Sequence, residues 1–122
     1  RGLGDVYKRQ RHAEVYRGSF AISVCPSENV ESPTIVGAQA ANELLNIIGI
    51  KASFVLTEYN DKIYISSRSI DEINVQIIME KLGGGGHLNV AGAQLTGVTI
   101  VQAKRMIQDT LDEMLKEGDI EE

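Results

Sequence analysis

Four consecutive glycines, Gly83 to Gly86, followed by His87, constrain this chain more than any other stretch. Glycine loses more freedom on ordering than any other residue, at a cost of up to about 1 kcal/mol each relative to alanine. A folded domain gains nothing for that cost unless backbone must come very close to something. The run follows a helix-like stretch, and His87, Leu88, Asn89, Val90 and Ala91 read as the opening of a further helix, whose first amides are unpaired donors. The combination predicts a cradle for phosphate. A flexible linker is the competing reading, but the run lies close between apolar helical patterns and ends in histidine. It fits neither the Walker pattern nor GxGxxG.

With 122 residues the chain is sized for one domain with a real core. Its apolar runs are short, so no membrane span or signal peptide is expected within it. The single cysteine, Cys25, lies in an apolar alternating run and reads as a buried structural thiol. The formal net charge is -5, and it persists between Gly18 and Gly118, where seven Lys or Arg face twelve Asp or Glu. A protein that tracks a nucleic-acid backbone presents a basic stripe. This chain has none, which favours a small phosphate-bearing ligand over polymeric DNA.

The pattern along the chain predicts an α/β fold: a small mixed sheet with an antiparallel hairpin, packed by about three helices. Residues 1–13 read as linker or tail, 14–118 as the domain, and 119–122 as a solvated acidic tail. Ser19 to Cys25 is a first, central strand, because both of its alternating faces can be buried. A loop over 26–31 leads to Ser32 as N-cap and Pro33 as first residue of a helix reaching about Ile48. Ala38, Ala41, Leu45 and Ile48 form its inner face, flanked by Ile35, Leu44 and Ile47, and Gly49 stops it. The small residues Gly37, Ala38, Ala40 and Ala41 let its first turns lie close to the sheet.

Two strands, Lys51 to Glu58 and Lys62 to Ser67, are joined at Asn60-Asp61 as a hairpin. Period two puts Tyr64, Ser66 and Arg68 on one face and Ile63, Ile65 and Ser67 on the other. Asn74 caps a short helix with Val75, Ile78, Met79 and Leu82 as its buried stripe, ended by Gly83. A short helix or turn from His87 and a last edge strand near Ala93 to Leu95 are expected. Thr99 and Gln102 make a capping box for a final helix that turns Ala103, Ile107, Leu111 and Met114 inward and ends near Gly118.

Catalytic ingredients are sparse. With two histidines, His12 in the tail, no set of His, Cys and carboxylates has metal-ligand spacing. No serine sits in a nucleophile elbow. The adjacent pairs Asp71-Glu72 and Asp112-Glu113 read as solvated surface. His87 reads either as a local cap or as a donor to a phosphate oxygen. Arg68 reads either as a surface charge or, set between Ser67 and Ser69, as a planar fork for bidentate phosphate binding with hydroxyls beside it.

At these residues the chain resembles a known family. ISSRS at Ile65 to Ser69 and GGGGHLNVAGAQL at Gly83 to Leu95 are similar to the C-terminal, DHH-associated domain of DHH phosphodiesterases, the group of RecJ-like nucleases and nanoRNases. YRGSFAISV, AQAANELL, KASFVL and NVQIIMEKLGGGGH look closer still to the GdpP-type cyclic-di-AMP phosphodiesterases. The likeness spans about residues 14 to 117.

The resemblance implies a two-lobed bacterial signalling enzyme in which a DHH lobe holds two Mn2+ ions and the associated lobe grips substrate. Carried over residue by residue, substrate contacts fall on Ser67, Arg68, Ser69, Gly84, Gly85, Gly86, His87 and Asn89. Relatives often carry Ala-Ala-Gly where this chain has Val90-Ala91-Gly92. The sequence contains no DHH motif, so the resemblance implies that it binds but does not hydrolyse alone. It also implies a cyclic dinucleotide or short nucleotide as ligand, with the DHH lobe of the same chain as partner. A homodimeric parent and a cytoplasmic domain of a membrane-anchored parent, itself without direct membrane contact, complete the expectation. Two other readings stand beside it: a lobe for short oligoribonucleotides or single-stranded DNA, and a non-catalytic nucleotide sensor or oligomerisation module.

Overall fold

The computed structural model describes residues 13–25, 33–70 and 72–121. The expected loop over 26–31, the cap at Ser32, Asp71, Glu122 and nearly all of the expected leading tail lie outside the described residues. In chain order the elements are β1 (Glu14–Tyr16), β2 (Phe20–Cys25), α1 (Pro33–Leu44), β3 (Ala52–Tyr59), β4 (Lys62–Ser69), α2 (Val75–Lys81), β5 (Gly85–Gly86), β6 (Val90–Thr96) and α3 (Ile100–Glu117). The strands form one six-stranded mixed sheet in the order β1-β2-β3-β4-β6-β5.

Strands β2 and β3 are parallel and joined through α1, and every other pairing is antiparallel. The sheet is covered on both sides. On one side α1 lays Ala40, Ala41 and Leu44 against Ala21 and Val55. On the other, Val75, Ile78 and Met79 of α2 and Ala103, Ile107, Leu111 and Met114 of α3 meet Phe20, Ile22, Phe54, Leu56, Ile63 and Ile65. Strands buried on both faces explain the apolar run of β2 and the burial of Ser53, whose hydroxyl donates to the Ala41 carbonyl at 2.7 Å.

Several expected elements are present with their local chemistry. Asn60 and Asp61 both take positive φ, 52° and 63°, as a two-residue turn between twisted strands requires. The Asn74 side chain accepts from the amides of Gln76 and Ile77. Thr99 and Gln102 exchange the reciprocal bonds of a capping box.

Helix α1 ends four residues before the expected Ile48, and its inner stripe is Gly37, Ala40, Ala41 and Leu44. Ile48 is 98% exposed and Ile35 58% exposed. The cause lies just downstream: Ile50 must be buried, and the amide of Lys51 must reach the Ser19 carbonyl at 2.7 Å for β3 to register with β2. A further helical turn would place neither.

Three corrections concern the ends of the domain. The polar Glu14–Tyr16 segment, without strand signal in the sequence, is β1, so β2 lies one strand in from the edge. The segment after Gly118 is not wholly solvated, because Ile120 is 5% exposed and joins the larger cluster. Gly118, at φ 83°, turns the chain back, and the Asp119 amide reaches the Met114 carbonyl at 2.9 Å. Asp112, expected as bare surface, instead accepts from the Tyr16 hydroxyl at 2.7 and 2.8 Å and from Arg17 Nε at 2.6 Å, clasping β1 to α3.

The hydrogen bond from Tyr16 holds the Asp112 carboxyl below its ordinary value, 3.8, opposed by burial and helped further by the hydrogen bond and then the charge of Arg17. A depressed carboxylate stabilises the fold fully above its unfolded value and loses that contribution as pH falls through the folded one. Because the groups are largely solvated, the effect is small. Asp112→Asn should therefore flatten the acid limb of the stability curve below about pH 4 while leaving neutral-pH stability within about 1 kcal/mol, read from urea unfolding at a series of pH values.

Candidate functional site

The glycine run does not open a helix. Gly83, at φ 88°, terminates α2, with its amide on the Glu80 carbonyl, and the Gly84 amide reaches Met79 at 2.8 Å. Gly85 and Gly86 then form the edge strand β5, paired to Gly92 and Ala91. His87 closes the hairpin, its amide donating to the Val90 carbonyl at 2.6 Å. Strand β6, expected as an edge, is thus covered by β5. The close approach inferred from the glycines is real, but its first object is the chain itself. A Cβ on Gly84 would run into the Gly92 carbonyl oxygen and lie 2.7 Å from Ala93 Cα, and one on Gly86 would lie 2.5 Å from Ala91 Cα. Gly85 alone in the strand has open space where a side chain would be.

The register arranges three rows across the α1 side of the sheet. Ser66, Gly92 and Gly85 stand opposite one another and make a nearly bare middle row. On one side of it Arg68 is opposite Val90, and the hairpin bond continues that row to His87. On the other side Tyr64 is opposite Gln94. Rows on one face are spaced by two residues, about 7 Å. Gly37 lets α1 sit directly on this surface, since a Cβ there would come 2.6 Å from Ser66 Oγ. Between α1 and the glycine edge lies a cleft of about 510 Å³ whose lining includes Ala38, Tyr64, Ser66, Arg68, Gly84 and Gly92.

Arg68 supplies the charge of the cleft. Its Nη1 donates to the Ser67 carbonyl at 2.8 Å, and among the described residues it has no carboxylate partner. Burial pulls its pKa below the ordinary arginine value, yet the guanidinium stays protonated. A half-desolvated, unpaired cation with spare N–H groups is a receptor for an anionic oxygen.

The residues nominated from sequence are only partly brought together. Arg68 and Gly84 line the cleft, and Gly85 and His87 join its rows through their pairing with Gly92 and Val90. Ser67 is fully buried on the opposite face, with its hydroxyl unpartnered. Ser69 shares that face, donating to the Ile73 carbonyl at 2.6 Å and accepting from Asn89 Nδ2 at 3.0 Å. Asn89, which also donates to the Ile70 carbonyl at 2.9 Å, ties the hairpin turn to the end of β4. Gly86 lies at the edge, its substituent direction filled by Ala91. Tyr64 and Gln94 were not nominated, although the alternation that placed Tyr64 beside Arg68 was the available signal. Among the described residues no three His, Cys, Asp or Glu side chains could hold a metal ion, and the cleft groups are donors to anions rather than metal ligands.

Residues 18–117 match the DHHA1 domain. The chain belongs to the DHHA1 family. It is 47% identical over 100 residues to the cyclic-di-AMP phosphodiesterase PdeA of Listeria monocytogenes, covering 81% of this chain and 15% of that protein. To the cyclic-di-AMP phosphodiesterase GdpP of Bacillus subtilis it is 37% identical over 110 residues, covering 88% of this chain and 17% of the relative. The chain therefore spans about one sixth of the length of these curated relatives. A solved exopolyphosphatase-related protein from Bacteroides fragilis has the same fold, with TM-score 0.78 at 22% identity over 92% of this chain and 34% of that chain. Among the described residues no helix is long and apolar enough to cross a membrane.

The glycines of this DHHA1 hairpin are predicted to differ sharply on substitution. Gly84→Ala meets fixed backbone and should cost on the order of 1–3 kcal/mol. Gly85→Ala meets nothing and should change stability by less than about 0.5 kcal/mol. Paired urea denaturation curves of the two variants check the contrast.

Proposed function

We propose that this chain is the substrate-gripping lobe of a phosphodiesterase that converts cyclic-di-AMP to pApA, and that the cleft holds one phosphate of the substrate. The single observation that carries the reading is Arg68, a half-desolvated cation without a carboxylate partner among the described residues, on the floor of an open cleft. The names of the 47% and 37% identical relatives supply the substrate class. The net charge of -5 agrees with a small ligand gripped locally rather than a polymer followed along its backbone.

In this reading Arg68 supplies the bidentate fork and His87, at the far end of the same row, adds a further donor. Bare Gly92 and Gly85 in the neighbouring row let the phosphate settle against the sheet. The grip fixes the substrate in one orientation, which lowers the barrier for whatever group attacks the bond. The attacking chemistry, with Mn2+ on the resemblance, is assigned to another lobe, and no step of it falls on these residues. Ser69 and Asn89 act here through position, tying the end of β4 to the hairpin that presents His87, whereas Ser67 is buried on the opposite face.

The test is calorimetric titration of pApA and cyclic-di-AMP into the chain. Arg68→Ala should weaken pApA binding about tenfold or more, the usual cost of losing hydrogen bonds to a charged group, with an unchanged thermal midpoint. Arg68→Lys should recover only part of the affinity, because a point charge cannot reproduce the fork. Equal affinity of wild type and Arg68→Ala would overturn the assignment.

A further inference from the structure

The row of Tyr64 and Gln94 has no structural duty that accounts for it. Both residues line the cleft, and they stand opposite each other on β4 and β6. Among the described residues, neither the Tyr64 hydroxyl nor the Gln94 side-chain amide makes a hydrogen bond to protein. Beside them runs the bare row of Ser66, Gly92 and Gly85, and beyond that the row of Arg68.

We infer that Tyr64 and Gln94 form a nucleobase subsite specific for adenine, at the opposite end of the cleft from the phosphate held by Arg68. Two row spacings separate Tyr64 from Arg68, about 13 Å between Cα atoms. Both ends line the same cleft, and the gap suits one nucleotide lying along it with its sugar over Gly92. The Tyr64 ring offers a flat apolar face for base stacking, which does not depend on base identity. The Gln94 amide offers a donor and an acceptor side by side, the pair that matches the N6 amino group and N7 of adenine. Guanine presents two acceptors, O6 and N7, on that edge, so one of the two bonds would be lost. Stacking therefore sets affinity and Gln94 sets the choice of base.

This inference rests on the proposed phosphate site, and the test separates the two. Ribose 5-phosphate, pApA and pGpG are titrated into wild type, Arg68→Ala, Tyr64→Leu, Tyr64→Phe and Gln94→Ala, with thermal midpoints taken for each. Ribose 5-phosphate, which has no base, should bind wild type and Tyr64→Leu equally and be weakened by Arg68→Ala. Tyr64→Leu should weaken pApA about tenfold, while Tyr64→Phe keeps wild-type affinity because the ring is retained. Gln94→Ala should shrink the ratio of pApA to pGpG affinity several-fold toward one. If Arg68→Ala weakens every ligand but Tyr64→Leu and Gln94→Ala leave pApA affinity and the base preference unchanged, the subsite is wrong and the phosphate site stands. If wild type binds none of the three, or Arg68→Ala loses nothing, both fall.

Discussion

Strand β4 is hydrogen-bonded on both edges and covered on both faces, and yet it carries an arginine. Most of its length obeys the rule for such a strand: Ile63 and Ile65 enter the larger core, and Ser66, Ser67 and Ser69 are small enough to be enclosed. Arg68 sits near the end of the strand, opposite Val90 and beside the bare row of Ser66, Gly92 and Gly85. Its stem lies along the sheet while its head faces an open cleft. The unpaired charge is costly in a fold of this size, and no packing role among the described residues repays it. In the proposed reading, that imbalance marks the cleft as the part of the molecule shaped by ligand rather than by stability.

The glycines take part in the same arrangement twice over. Gly84 and Gly86 have no room for side chains because the edge strand is pressed onto β6, whereas Gly85 has open space where a side chain would be. The two constraints alternate along one short strand, as the two faces of a sheet require. Gly37 plays the equivalent part from above, where its missing side chain sets the height of α1 over Ser66. A cleft bounded by backbone on one side and by a close helix on the other holds its shape without bulky side chains.

The hairpin, the inner faces of α2 and α3, and their caps were legible in the sequence because each rests on local chemistry: a two-residue turn, an Asn or Thr cap, a stripe at spacings of three and four. What was not legible depended on distant partners. Glu14–Tyr16 becomes a strand only because β2 is there to pair with, and Asp112 is claimed by Tyr16 across 96 residues. Ile48 reads as core by spacing, but the burial of Ile50 takes the chain elsewhere. The glycine run was legible as a place of close approach but not as an edge strand, since glycine carries no strand propensity. Ser67 and Ser69 flank Arg68 in sequence, and the alternation of the strand, legible in the sequence, turns them to the other face.

The most direct test of the central claim, that the β4 to β6 cleft receives a nucleotide phosphate, is a map of amide and arginine side-chain NMR shifts as pApA is added. The account predicts that the largest changes fall on the Arg68 guanidinium, on the amides of Gly83 to His87 and on Gly92 to Gln94, with β1 and α3 undisturbed. Changes centred on α3 or β1, or a titration that leaves the Arg68 guanidinium unmoved at saturation, would contradict it.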